Sequence, residues 1–265
     1  NRVLVVGVSA DKYSVPVEGV DIVHCRLNCP ENHQLICRIQ NQGIGNPGVA
    51  GRFLHPGFRK AGGLNPGFDS FLRPAIDGFD SLGVQLDGKG WVMTNERMET
   101  SAADVYAIGD LLGPSKIMLA HVASTEGLVA AENAMAGRRS MDYNIVPGAI
   151  FTSPEVANVG LTEAQAKTQG YEVRADSVLF RTLGKAQVIG DIAGQAKIVS
   201  EIGSGKILGV HIIGPHATDL IAEGTLALQT GAKVQDLAAT IHAHPTLAEI
   251  MLENSLKALD RSLHG

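Results

Sequence analysis

Residues 195–214 read QAKIVSEIGSGKILGVHIIG, and this stretch decides the fold of the second half of the chain. It contains two apolar runs, Gln195 to Ile202 and Lys206 to Ile213, separated by Gly203-Ser204-Gly205. Two such runs joined by a short glycine-rich turn predict a β-hairpin. Because a hairpin pairs its strands antiparallel, we expect an antiparallel sheet in this half of the chain.

Further elements flank the hairpin. A helix is expected after Thr162, because Thr162 and Gln165 have the spacing of a capping box and Gly170 can end the helix. The other expected elements are strands at Ala149 to Thr152 and Glu172 to Phe180, and helices at Thr218 to Gln229, ended by Gly231, and at Thr246 to Leu259. Strands followed by helices predict an α+β domain over 147–265.

Residues 82–146 form a central segment with a different pattern. We expect short strands at Trp91 to Thr94 and Val105 to Asp110, followed by a helix from His121 to Ala136. Gly137 is placed to end that helix. Pro147-Gly148 then marks the boundary with the α+β domain.

Residues 1–81 show less regularity. Arg2 to Gly7 is typical of a buried strand, but after it we expect a loop-rich segment that is inserted into the fold or foreign to it. Gly43 to Gly48 satisfies the spacing of a dinucleotide-binding loop. It follows no convincing strand, and Pro47 removes an amide that should face a pyrophosphate, so we interpret it as a turn.

Composition excludes several classes of protein. The net charge is −5 and no basic stripe exists, so a nucleic acid is not an expected partner. No run of 18 apolar residues and no signal-peptide pattern is present, so we expect no membrane segment. Three cysteines, all before residue 40, do not form a secreted disulfide scaffold, and we expect a cytoplasmic protein.

Two motifs carry possible chemistry. Thr100 to Asp110 ends a strand in Gly109-Asp110, where the glycine lets backbone approach a ligand and the carboxylate can accept hydrogen bonds from hydroxyls. On pattern alone an ordinary aspartate turn is favoured. Residues 242–249, HAHPTLAE, place His244 near Glu249, as in a general base with its orienting carboxylate. Thr246 and Glu249 equally match a capping box, and the bare spacing favours that structural role.

Both motifs resemble those of one family. Thr100 to Asp110 is similar to the second flavin motif of the disulfide oxidoreductases, and residues 118–121 are similar to their Met-Leu-Ala-His segment. Residues 242–249 are similar to the C-terminal signature of the dihydrolipoamide dehydrogenases, whereas the glutathione reductase branch usually lacks this His-x-His start. The resemblance runs from about Leu82 to Leu259. It implies an α+β interface (dimerisation) domain preceded by part of an FAD/NAD-binding α/β region.

The resemblance also implies roles for individual residues. Asp110, after Gly109, would hold the ribityl chain of FAD, and the backbone of Met118, Leu119, Ala120 and His121 would face the flavin ring. A helix N-terminus suits that position because it stabilises negative charge on a reduced flavin. His244 would be the acid/base, Glu249 would orient it, and His242 would be supporting structure.

The implied activity passes electrons from dihydrolipoamide, free or on a lipoyl-bearing protein, through a disulfide and FAD to NAD in a homodimer. The family needs a Cys-x4-Cys pair, whereas Cys25 and Cys29 have one residue fewer between them. We therefore expect an incomplete C-terminal portion of such an enzyme. The alternative is a non-catalytic dimerisation module. His24, Cys25, Cys29 and His33 match no standard zinc spacing, so no metal site is expected.

Overall fold

The structure is a computed structural model. It describes the strand backbone at 3–8, 20–27, 34–40 and 54–56, and then residues 79 and 82–264. The chain divides into two compact units, unit 1 from Asn1 to Tyr143 and unit 2 from Asn144 to Gly265.

Unit 1 contains a five-stranded sheet of order β4-β3-β2-β1-β5. Its strands are β1 (Val3–Val8), β2 (Val20–Leu27), β3 (Gln34–Gln40), β4 (Leu54–Pro56) and β5 (Val105–Gly109). Strand β1 pairs parallel with both β2 and β5, while β2–β3 and β3–β4 are antiparallel. Helix α1 (Ala120–Ala134) follows β5 and packs on β5 and β1.

The segment after Gly7, expected to be loop-rich, contributes strands β2, β3 and β4 to the sheet. Strand β2 pairs with β1 along the whole of β1, and Cys25 in β2 is the register partner of Cys37 in β3. The short run of apolar residues from Leu35 to Cys37, followed by Ile39, was an available strand signal. Cys29, His33 and the turn at Gly43 to Gly48 lie outside the described residues.

Two expectations for the central segment need correction. Trp91 to Thr94 is not a strand, because only a Leu86–Val92 bridge forms. The Asp87 carboxylate accepts a hydrogen bond from the Trp91 amide at 2.9 Å. This amide therefore stabilises a turn and does not pair with another strand. Helix α1 ends at Ala134, and Ala136 takes the left-handed turn with φ 67°. Gly137 is needed for space, since a Cβ there would crowd the Glu132 carbonyl.

Unit 2 is an antiparallel sheet with helices packed on it. The sheet order is β6-β7-β10-β9-β8. Its elements are β6 (Gly148–Ile150), β7 (Glu155–Gly160), α2 (Glu163–Thr168), β8 (Val173–Leu179), α3 (Gly184–Ile189), β9 (Gln195–Glu201), β10 (Ile207–Gly214), α4 (Ala217–Thr230), α5 (Val234–Ala239) and α6 (Glu249–Ala258). Helix α4 packs on β7 and β10, whereas α6 packs on β8 and β9. The core between them is apolar and includes Phe180, Ile198, Val210 and Ile250.

The central hairpin and the capping box are confirmed. Strands β9 and β10 pair antiparallel, and Gly203 and Gly205 both take positive φ in the turn between them. Thr162 Oγ accepts from the Gln165 amide at 3.2 Å, while Gln165 Oε1 accepts from the Thr162 amide at 2.9 Å. The reciprocal bonds start α2 where the sequence predicts.

The last helix begins later than expected. Helix α6 starts at Glu249 and not at Thr246. The Thr246 hydroxyl donates to the Ala243 carbonyl at 2.7 Å. The Thr246 side chain therefore stabilises the loop and does not cap the helix. Helices α3 and α5 have six residues each and were not foreseen, because so few residues show no clear helical period.

We expect Gly209→Ala to destabilise unit 2 by roughly 3 kcal/mol, because overpacking a close backbone contact forces strands apart. A Cβ at Gly209 would overlap the Leu161 carbonyl oxygen, where β10 pairs with the end of β7. The measurement is urea unfolding followed by circular dichroism.

Gly184→Ala is the matched control, since a Cβ at Gly184 meets nothing within 4 Å and no positive φ is required there. It should leave unit 2 unchanged or slightly more stable. Equal stability of the two variants would contradict the close contact of β7 and β10.

None of the helices in the described part of the chain has the length and apolar run that a bilayer span requires.

Candidate functional site

The end of β5 presents a backbone turn and a carboxylate. Gly109 has φ 71°, which a side chain would strain, and Asp110 begins a short 3₁₀ helix, Asp110–Ser115. Asp110 is half-buried, and burial raises the pKa of its carboxyl. Among the described residues no side chain or amide bonds to this carboxylate. A half-buried acceptor with no partner in the described part of the chain is available to a ligand.

The N-terminal end of α1 is the second feature of unit 1. The N-cap residue of this helix, Leu119, is extended, and its side chain makes no capping hydrogen bond. Ile117 and Leu119 remain 37% and 36% exposed, and Met118 is half-buried. An uncapped helix start carries partial positive charge and attracts anionic groups.

Unit 2 brings His244 and Glu249 together. His244 Nδ1 lies 2.8 Å from Glu249 Oε1, and the side chains are 71% and 13% exposed. The other oxygen, Glu249 Oε2, accepts the Thr246 amide at 2.9 Å. The dyad and the backbone cap were alternatives in the sequence, but the structure contains both, with one carboxylate oxygen for each.

These contacts define the chemistry of the His244 ring. Partial burial tends to raise the pKa of Glu249, but the Thr246 amide and the His244 ring outweigh it, so the pKa lies below its usual value. The ionised carboxylate can only accept, so Nδ1 carries the proton in the neutral ring. Nε2 is then left with a free lone pair on an exposed side chain, which is the arrangement of a general base.

His242 differs from His244 in its surroundings. Its ring is 5% exposed, with Nε2 2.8 Å from Glu223 Oε1 and Nδ1 3.0 Å from the Thr240 carbonyl. Both ring nitrogens therefore have an oxygen atom as their partner. The Glu223 contact joins the loop that carries His244 to helix α4.

Sequence reasoning missed two buried carboxylates. Glu253 is 3% exposed, and its Oε1 lies 2.6 Å from His264 Nδ1. Glu126 is 1% exposed and contacts Gly109 and Tyr143. The partners of both carboxylates lie many residues away in the sequence. No local sequence spacing therefore indicates these contacts.

Comparison with known families defines the class of protein. Residues 146–255 match the family described as pyridine nucleotide-disulphide oxidoreductase, dimerisation domain, and residues 72–127 match pyridine nucleotide-disulphide oxidoreductase. The C-terminal portion of the chain therefore belongs to the pyridine nucleotide-disulphide oxidoreductase family. This confirms the resemblance and the fold class expected from the sequence.

The individual relatives that this chain resembles are dihydrolipoyl dehydrogenases. The dihydrolipoyl dehydrogenase of Chlamydia muridarum is 46% identical over 187 residues, which cover 71% of this chain and 40% of the relative. The mitochondrial dihydrolipoyl dehydrogenase of Sus scrofa is 42% identical over 182 residues, 68% of this chain and 35% of the relative. The chain thus spans about 40% or less of the length of these relatives.

Solved structures show the same fold. LpdA from Mycobacterium tuberculosis aligns with a TM-score of 0.65 at 20% identity, covering 97% of this chain and 61% of that protein. The Cu(II) complex of the HOCl-induced flavoprotein disulfide reductase RclA from Escherichia coli aligns with a TM-score of 0.64 at 20% identity. The alignment covers 89% of this chain and 51% of that protein.

Proposed function

We propose that this chain is the C-terminal part of a dihydrolipoamide dehydrogenase-type flavoprotein. The whole enzyme would oxidise dihydrolipoamide, free or carried by a lipoyl-bearing protein, and pass the electrons through a disulfide and FAD to NAD. The observation that carries the proposal is the 2.8 Å contact between His244 Nδ1 and Glu249, which leaves Nε2 open.

In this proposal His244 removes a proton from a dithiol substrate. Nε2 accepts the proton from one thiol, and Glu249 stabilises the imidazolium that forms. The resulting thiolate is the species that attacks a disulfide, since a thiol is a poor nucleophile. A dithiol substrate also requires a compartment that keeps thiols reduced, so we place the protein in the cytoplasm.

The residues of unit 1 fit a flavin site. Asp110 would accept hydrogen bonds from the hydroxyls of the ribityl chain, and Gly109 leaves the backbone accessible beside it. The uncapped start of α1, at 118–121, would face the electron-rich edge of the ring. FAD would supply the two-electron acceptor at this site.

The cofactor test is reconstitution of the purified chain with FAD. The proposal expects a bound flavin with a visible absorption spectrum that survives gel filtration. The second candidate function, a non-catalytic dimerisation module, is favoured by the dimerisation-domain match at 146–255 and by the missing Cys-x4-Cys motif. It expects a colourless protein.

We expect the chain to sediment as a dimer at micromolar concentration and Ile241→Asp to shift it to monomers. Ile241 is 97% exposed, and an aliphatic side chain left in water next to His242 suits a surface that another copy covers. The substitution should not affect folding, because the side chain makes no core contact. A wild-type monomer, or a dimer that the Ile241→Asp substitution leaves unchanged, would contradict this interface.

A further inference from the structure

Glu126 is a buried carboxylate that the chemistry above does not use. It lies on α1, and only 1% of its surface is exposed. Oε2 accepts the Gly109 amide at 2.6 Å, and Oε1 accepts the Tyr143 hydroxyl at 2.6 Å. A buried carboxylate is costly even with good donors, so its presence needs an explanation.

Along one edge of β5, backbone-to-backbone hydrogen bonding stops at the Gly109 amide. On that edge the Ala107 amide donates to the Met98 carbonyl at 3.1 Å. Alternate amides of a strand point the same way, so Gly109 is the next donor along. It donates to Glu126 instead of to a backbone carbonyl. Glu126 therefore fixes the strand at the residue immediately before Asp110.

Tyr143 extends the contact towards the start of α1. Its ring centre lies 4.7 Å from Lys116 Nζ, a cation–π distance. Lys116 directly precedes the partly exposed segment 117–120. Glu126 thus connects the end of β5 to the residues that lead into α1 through Tyr143.

The titration behaviour of the pair is consistent with these donors. Burial raises the pKa of Glu126, and the hydrogen bonds from Tyr143 and Gly109 oppose that rise. Burial and the Glu126 contact also raise the pKa of Tyr143, so the phenol remains a donor.

We propose that Glu126 is a positioning residue that fixes the Gly109-Asp110 end of β5 relative to the start of α1 and thereby sets the affinity of the chain for FAD. This inference rests on the proposed function, because it takes those two segments as walls of the flavin site. Glu126 itself need not touch the cofactor, since it acts through the backbone at Gly109.

The test measures the FAD dissociation constant of the full chain by flavin fluorescence, with the unfolding temperature of each variant. Glu126→Met keeps the volume but removes both acceptors, and it should weaken FAD binding by about tenfold or more. Glu126→Gln keeps an acceptor for the Gly109 amide and should bind within about threefold of the wild type.

Asn133→Leu is the matched control for lost stability. Asn133 is also buried on α1, but among the described residues its hydrogen bonds go to Arg97 and Arg139 and not to either wall of the flavin site. It should lower the unfolding temperature and leave the FAD dissociation constant unchanged. If the Met variant does not fold, Glu126→Asp, with a shorter reach, should weaken FAD binding in the same direction.

The outcomes separate the two proposals. One outcome is that the wild type binds FAD with the same dissociation constant as Glu126→Met, Glu126→Gln and Asn133→Leu. That result overturns the role of Glu126 and leaves the proposed function standing. An equal loss of affinity in the Met and Leu variants also overturns it. A wild type that binds no FAD overturns the cofactor part of the proposed function, and the inference falls with it.

Discussion

Replacing His244 by glutamine is expected to lower the rate of flavin reduction by dihydrolipoamide by roughly 100-fold or more, in a form of the protein that contains the redox disulfide. Losing a general base usually has an effect of this size. Glutamine can keep a hydrogen bond to Glu249, but it cannot accept a proton from a thiol at neutral pH. Stopped-flow absorbance of the flavin measures the step directly, and flavin content should be unchanged.

His216→Asn provides the control for this experiment. His216 is also an exposed histidine beside a carboxylate, with its Nδ1 3.5 Å from Asp219, but it lies at the start of α4 and away from residues 242–249 in the chain. The control should reduce its flavin at the wild-type rate. If His244→Gln does the same, His244 is not the base.

The chain of 265 residues by itself should show no measurable oxidation of dihydrolipoamide by NAD, even with added FAD. Without an adjacent disulfide the thiolate has no first electron acceptor, because thiol–disulfide exchange needs a sulfur to attack. We expect a rate at least about a thousandfold below the typical turnover of enzymes, of order 10 per second. A steady-state assay of NADH formation is the measurement.

Turnover at the level of a complete enzyme would contradict this expectation. The candidate sulfurs would then be those of Cys25 and Cys29, and Cys25→Ser should abolish the rate. Retention of the rate in that variant would assign the activity to a contaminating enzyme.

The sequence predicted unit 2 well because its signals are local. The turn glycines of the β9–β10 hairpin, the capping box at Thr162 and Gly231 after α4 act within a few residues. The same locality explains why residues 242–249 showed both functions of Glu249 but could not decide between them. A carboxylate has two oxygens, and only the structure shows that each has its own partner.

Unit 1 was harder to predict because its order depends on distant pairing. Strand β5 joins β1 although Val105 lies far along the chain from Leu4, and β2 and β3 extend the sheet through a region rich in turn formers. Trp91 to Thr94 has the composition of a strand, but the Trp91 amide donates its hydrogen bond to the Asp87 side chain and not to a neighbouring strand. The contact of Glu126 with Gly109 likewise joins residues 17 positions apart, so no motif contains both.

The central claim is that Glu249 holds His244 with its proton on Nδ1 and leaves Nε2 as the base. A long-range ¹H–¹⁵N spectrum of the neutral His244 ring in this chain tests it most directly. The tautomer is set by the hydrogen bond that one nitrogen makes. The account predicts a protonated Nδ1 and an unprotonated Nε2, and a ring protonated mainly on Nε2 would contradict it.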